Sequence, residues 1–411
     1  MKINKHCFPN GLRLGHYEDT STQMVALNIV YDVGARDEHP EHTGFAHLFE
    51  HLMFGGSAHI PDYDTPLQLA GGENNAWTNN DITNYYLTVP KPNVETAFWL
   101  ESDRMLELAF SEQSLEVQRG VVMEEFKQRC LNQPYGDVGH LFRPLAFRVH
   151  PYRWPTIGKE LSHIEQATLD EVKSFFYRFY APNNAVLAVT GNISWDETVK
   201  LTEKWFAPIP RRNVPVRQLP QEPEQTQERR LTVERNVPLD ALFMGYHMCS
   251  REGADYYAFD ILSDILSNGR SSRLNRRLVQ EQNIFSGIDA YISGTRDAGL
   301  LQISGKPAAG VSLEQAEAAV RKELEELQRS PVDGQELEKV KNKFESTQIF
   351  GNINYLNVAT NLAWFELTGK AEDIDLEVER YRSVTTEQLH TVAQRTFCES
   401  NAVVLYYKSD K

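Results

Sequence analysis

The stretch Phe45-Ala-His47-Leu-Phe-Glu50-His51-Leu-Met-Phe-Gly-Gly56 has a counterpart later in the chain, Ala258-Phe-Asp260-Ile-Leu-Ser263-Asp264-Ile-Leu-Ser-Asn-Gly269. Both keep apolar residues at helical spacing, while His, Glu and His become Asp, Ser and Asp. Each copy follows a hydrophobic strand, over 25–33 and 241–247. A second pair of blocks repeats in the same order: Tyr180-Ala-Pro-Asn-Asn184-Ala-Val-Leu-Ala-Val189 and Phe397-Cys-Glu-Ser-Asn401-Ala-Val-Val-Leu-Tyr406. Each follows a predicted helix with a threonine cap, Thr168 or Thr385, and an arginine at the same offset, Arg178 or Arg395. Two amphipathic helices can match by chance, but two ordered blocks point to internal duplication.

Between the halves, Ala207 to Arg230 holds Pro208, Pro210, Pro215, Pro220 and Pro223 among glutamines and charges. Such sequence cannot build a core and reads as a semi-rigid linker. The expected organisation is a first domain over 1–210, a linker over 211–230 and a degenerate duplicate over 231–411. Strands and helices mix without strict alternation, so the fold class is α+β. Each domain should be a mixed, mainly antiparallel sheet with helices packed on one face.

A formal charge of −15 argues against nucleic-acid binding, which needs basic clusters to neutralise phosphates. No run of 18 apolar residues exists, so no membrane span is expected. The four cysteines, Cys7, Cys130, Cys249 and Cys398, lack paired metal spacing and read as reduced, mostly buried thiols. The first residues show no apolar signal region. The expected compartment is therefore the cytoplasm, or the periplasm if a signal has been removed.

His47-Leu-Phe-Glu50-His51 carries the chemistry. Residues four apart lie one turn apart on one helix face, so both imidazoles can reach a single ion at about 2.0–2.1 Å. Glu50 borders that face and can take a proton from an attacking water without occupying a coordination position. The motif mirrors the zincin pattern with its glutamate moved to the other end, an inverzincin arrangement. Two buried histidines on a helix can also be ordinary core residues. Against that stand the strand before the helix, the Gly55-Gly56 stop, and a glutamate-bearing helix downstream. Catalytic zinc takes three protein ligands. The third comes from 112–132, where spacing alone leaves Glu116, Glu124 and Glu125 open.

His47-x-x-Glu50-His51, Gly71-Gly72-Glu-Asn-Asn75-Ala76-Trp-Thr78, Thr83-Asn-Tyr85-Tyr86 and Arg119-Gly-Val-Val-Met-Glu124-Glu125 together resemble the pitrilysin family of zinc metallopeptidases. The resemblance covers the whole chain and extends to the mitochondrial processing peptidase type. It implies a Zn2+ endopeptidase with Glu125 as third ligand, Glu124 being the runner-up, and Glu50 as general base. Many members carry a glutamate seven residues before the third ligand, where this chain has Gln118. A glutamine there can hydrogen-bond a ligand but brings no charge.

The resemblance further implies that peptide or unfolded polypeptide substrate adds as a strand to an exposed edge beside the metal. That edge is Asn75, Ala76, Trp77 and Thr78, in a hairpin that turns at Asn79-Asn80-Asp81. Trp77 and Tyr86 are candidate side-chain pockets, although each is equally an ordinary core aromatic. Self-sufficient relatives also place an arginine and a tyrosine, seven apart, after a Ser-Ser-Arg-Leu helix start. Here the corresponding positions are Val279 and Ser286. The chain is thus expected to work in a heterodimer whose related subunit supplies that pair. The competing expectation is a non-catalytic zinc-binding scaffold or partner subunit.

Overall fold

Asn4–Cys7 (β1), Arg13–Glu18 (β2), Met24–Tyr31 (β3), Glu73–Thr78 (β4), Thr83–Pro90 (β5) and Ala185–Gly191 (β6) form one sheet in the order β1-β2-β6-β3-β5-β4. Arg229–Arg235 (β7), Ala241–His247 (β8), Phe285–Ile292 (β9), Leu300–Pro307 (β10) and Ala402–Ser409 (β11) form the other, in the order β7-β11-β8-β10-β9. This computed structural model describes residues 1–410. β2 runs parallel to β6 and β7 parallel to β11; every other neighbouring pair is antiparallel. Strand for strand, the second sheet repeats the first without β1. The duplication read from the repeated blocks therefore extends to the topology, and the class is α+β.

Two compact units form, and neither is a continuous stretch. One comprises Met1–Leu131, Trp154–Pro220 and Ile349–Leu376; the other holds Asn132–Arg153, Gln221–Gln348 and Glu377–Lys411. The division thus departs from the linear one at the proline-rich segment. Helix Val138–Ala146 of the first repeat packs on β7, β8 and β11, while helix Tyr355–Thr368 of the second packs on β2, β3 and β6. The same distance, 217 residues, separates Val138 from Tyr355 and Asn184 from Asn401. These are equivalent helices, each belonging to the other repeat's unit.

In the first unit the period-two alternation of strands sorts two cores. Leu27, Ile29, Tyr31, Tyr85, Leu87, Leu187 and Val189 face the main helical layer, with Phe45, Phe49, Phe98 and Phe176. Ala26, Val30, Val186 and Ala188 face the opposite way, onto Ala359, Leu362 and Ala363. Small residues on that second face let one helix lie close against the sheet. Helices therefore cover this sheet on both sides.

Thr168 caps its helix through Glu171 in a reciprocal capping box, and Thr385 accepts the Gln388 N–H. The proline-rich segment is less free than a spacer. Arg212 donates to the carbonyls of Tyr180 and Leu106, and Arg217 pairs with Asp37. In the second unit, the Glu222 carboxylate accepts the backbone N–H groups of Arg148, Val149 and His150. Of the cysteines, Cys130 alone is buried and Cys7 is exposed, which corrects the expectation of mostly buried thiols.

Leu362 is fully buried and packs on Gly15, where a β-carbon would lie 3.1 Å from its Cγ. Leu362→Ala should cost about 2–5 kcal/mol and lower the urea midpoint of the first unit. An unchanged midpoint would mean that the back helix contributes nothing to this core.

Candidate metal centre

The helix Phe45–Leu52 is eight residues long and buries Phe45, Leu48, Phe49 and Leu52. That apolar stripe seats it on the sheet and turns His47 and His51 to the neighbouring face. Helix Glu112–Phe126 crosses close to its C-terminal end. The crossing explains a glycine: a β-carbon at Gly55 would fall 2.7 Å from Ser114 Oγ.

The crossing brings Glu125 to the histidines. His47 Nε2 lies 3.5 Å and His51 Nε2 3.3 Å from the same oxygen, Glu125 Oε2. The two rings are 5.0 Å apart at an interplanar angle of 85°. Ligands of tetrahedral zinc at 2.0–2.1 Å stand about 3.4 Å apart, so the donor spacing fits that ion. Among the described residues this is the one group of three or more His, Cys, Asp or Glu residues placed to hold a metal.

Glu124 points into solvent and accepts from Gln128, while Glu116 is exposed and paired with Arg119. Of the three glutamates left open by spacing, only Glu125 meets the histidines. Gln118 is half-buried, with its Cγ close to Gly55. His47 Nδ1 is buried without a hydrogen-bond partner. Ligand histidines normally donate this second nitrogen to a carbonyl, carboxylate or water.

Electrostatics prepares the donors. Burial pushes the His47 imidazole down to about 4, against the pull of Glu125, so it is neutral at physiological pH. The His51 imidazole holds the Glu125 carboxyl below its ordinary range; burial opposes this, and His47 and Arg129 reinforce it. Arg129 is the partner that sequence reasoning missed: its guanidinium lies 2.9 Å from Glu125 Oε1. The i,i+4 spacing was the available signal. Glu50 is raised by burial and by Glu125, with Thr78 and His51 pulling the other way. A raised carboxylate is a stronger base, which suits a proton acceptor.

The predicted hairpin forms, with Asn79 Oδ1 accepting the N–H groups of Asp81 and Ile82. β4 is the outer strand of the sheet. The Asn79 N–H bonds the Ile82 carbonyl, so backbone groups of odd-numbered β4 residues face β5 and even-numbered ones face the open edge. The Ala76 N–H is accordingly taken up by its neighbour's side chain, Asn75 Oδ1, at 2.8 Å. Side chains sort differently. Ala76 packs with the core on the metal side, whereas Trp77 packs with the back-helix core. Tyr86 lies opposite Asn75 and shares that back face by alternation. Trp77 and Tyr86 are thus turned away from the metal side, toward the back-helix face. Tyr85 faces the metal side, fully buried, its hydroxyl 3.3 Å from the Phe49 carbonyl.

The duplicate positions hold no such constellation. Asp260 accepts the Tyr381 hydroxyl, and Asp264 accepts the Asn268 amide at 2.8 Å. Val279 is half-buried and Ser286 exposed, its hydroxyl on the Lys306 carbonyl. The nearby arginines are engaged: Arg273 with Glu336 at 2.8 Å, Arg277 with Glu323 at 2.6 Å. No helix among the described residues is long and apolar enough to cross a membrane.

Two family descriptions match the chain: "Insulinase (Peptidase family M16)" over residues 16–137 and "Peptidase M16 inactive domain" over 166–344. The chain is similar to the zinc protease PqqE of Helicobacter pylori, 26% identical over 95% of this chain and 89% of that one. It is also similar to the uncharacterised zinc protease YmxG of Bacillus subtilis, 24% identical over 98% of each. A crystal structure of a protease from Helicobacter pylori superposes with a TM-score of 0.94 at 25% identity, covering 99% of both chains. The periplasmic protease PqqL of Escherichia coli shares the fold at a TM-score of 0.81 and 18% identity; the match covers 99% of this chain but 47% of that longer one.

Zinc content by atomic spectroscopy should be one per chain, and none for His51→Ala. Glu125→Gln should lose most of the metal and Glu124→Gln keep it. The reverse order would move the third ligand by one residue.

Proposed function

The chain belongs to the M16 peptidase family, the pitrilysin family of the resemblance, and from that we propose that it is a zinc metalloendopeptidase. The observation that carries this reading is the convergence of His47, His51 and Glu125 at zinc-ligand spacing, with Glu50 alongside. The match to a domain described as inactive covers 166–344, beyond all four residues. Relatives named zinc proteases support the choice of metal.

Zinc held by these three side chains would polarise a scissile carbonyl and make water a competent nucleophile near neutral pH. Glu50 would take the water's proton and pass it to the leaving amine. Arg129 keeps one Glu125 oxygen occupied, so the other is presented to the metal. The substrate would add as a strand along β4, with the outward groups of Asn74, Ala76 and Thr78 as main-chain partners. Binding of this kind reads backbone more than side chains, and it suits extended or unfolded polypeptide. Ala76 and Thr78 border the metal side, while Asn75 must release the Ala76 N–H for a substrate carbonyl.

Partnership follows from the second unit. With Val279 and Ser286 at the expected arginine and tyrosine positions, and Arg273 and Arg277 held by glutamates, the pair that self-sufficient relatives use to meet the substrate carbonyl is missing at its matching positions. The active form proposed is a heterodimer with a related subunit that carries the pair. That one solved protease contains the fold in about half its length is consistent with two such chains acting together.

Glu50→Gln should keep zinc and fold while losing about 10²–10⁴-fold in turnover of a quenched peptide; full activity would remove Glu50 from the mechanism. Adding the closest paralogue should raise the activity of the purified chain severalfold or more. High activity from the chain alone, unchanged by the paralogue, would contradict the heterodimer.

A further inference from the structure

The helix bearing His47, Glu50 and His51 begins without a cap of its own. Its N-cap residue, Gly44, has φ of 89° and no side chain to accept a hydrogen bond. Nothing larger fits there: a β-carbon would fall 2.7 Å from Ile164 Cδ1 and 2.9 Å from the Ile157 carbonyl. Serine, threonine or aspartate, the usual residues at this position, are therefore excluded by backbone conformation and by packing. The first turn still presents N–H groups that no helix carbonyl can reach, in a buried setting where an unpaired donor is destabilising.

Glu38 supplies what Gly44 cannot. Its Oε2 accepts the Gly44 N–H and its Oε1 the Ala46 N–H, both at 2.9 Å. The side chain is 6% exposed, an unusual cost for a carboxyl group. Besides its contact with the Trp154 side chain, two of its hydrogen bonds go to the start of this one helix, and the second lands on the residue before His47. Two bonds from one planar carboxyl group hold the helix against rotation as well as sliding. Rotation matters here because the stripe that aims His47 and His51 at Glu125 is a single face of a helix barely two turns long. The loop before the helix is tied separately, by Thr43 Oγ1 accepting the Lys159 N–H at 2.7 Å.

We propose that Glu38 is a positioning residue for the metal centre: by capping the ligand helix from outside, it sets the orientation in which His47 and His51 meet Glu125. This rests on the zinc reading above. Its consequence is that zinc affinity and ligand geometry depend on a side chain that touches neither metal nor substrate.

The test compares zinc affinity, by competition with a chromophoric chelator, in the wild-type chain, Glu38→Gln and Ser194→Ala. Ser194 caps the helix Trp195–Trp205 of the same unit by accepting the Glu197 N–H, so its loss controls for plain loss of stability. Glu38→Gln keeps the shape but can accept with only one oxygen. It should bind zinc about 10-fold or more weaker, the usual scale for groups that orient ligands, and shift the visible bands of the Co2+-substituted protein. Ser194→Ala should leave both unchanged. Should Glu38→Gln fail to fold, Glu38→Asp, which keeps the carboxyl group but shortens its reach, carries the same expectation. Wild-type affinity and cobalt spectrum in a folded Glu38 variant would overturn the proposal. A wild-type chain that takes up no zinc would instead overturn the reading on which it rests.

Discussion

Two imidazoles four residues apart can grip an ion but cannot close a site around it. The third ligand has to arrive from elsewhere, and its carboxylate must stop within about 3.4 Å of both nitrogens. Much of the first unit answers to that constraint. The sheet gives the His47–His51 helix a flat apolar bed, Gly55 lets the Glu112–Phe126 helix cross at close range, and Glu38 with Gly44 fixes where the first helix starts. Such a centre is held by packing as much as by its ligands.

The same arrangement sets the charges. Burial keeps His47 neutral and so ready to ligate, while Glu125 remains ionised through His51, His47 and Arg129. Glu50 sits where burial raises its basicity but no hydrogen bond from a cation consumes it. Carboxylates seventy-five residues apart in sequence thereby differ through their surroundings alone, which suits the roles proposed for them, Glu125 as ligand and Glu50 as base.

Much of this was legible in the sequence, because the helical spacing of His47, Glu50 and His51 is local and the repeated blocks survive divergence. The choice of Glu125 over Glu124 needed a family pattern, since adjacent positions on a helix differ by 100° and spacing cannot say which faces a distant partner. Trp77 and Tyr86 show the limit on strands. The resemblance offers them as pockets along the substrate edge, and only the observed register shows that period-two alternation turns both to the back face. The exchange of Val138–Ala146 and Tyr355–Thr368 between units left no trace in linear order. The cap from Glu38 was equally hidden, because it is a contact between a loop and a helix start with no motif spacing.

The most direct test of the central claim is zinc K-edge X-ray absorption on the purified chain. The account predicts one zinc per chain, surrounded only by nitrogen and oxygen at about 2.0–2.1 Å, with the multiple-scattering signature of two imidazoles. A sulfur scatterer, or a single imidazole, would contradict a centre built from His47, His51 and Glu125.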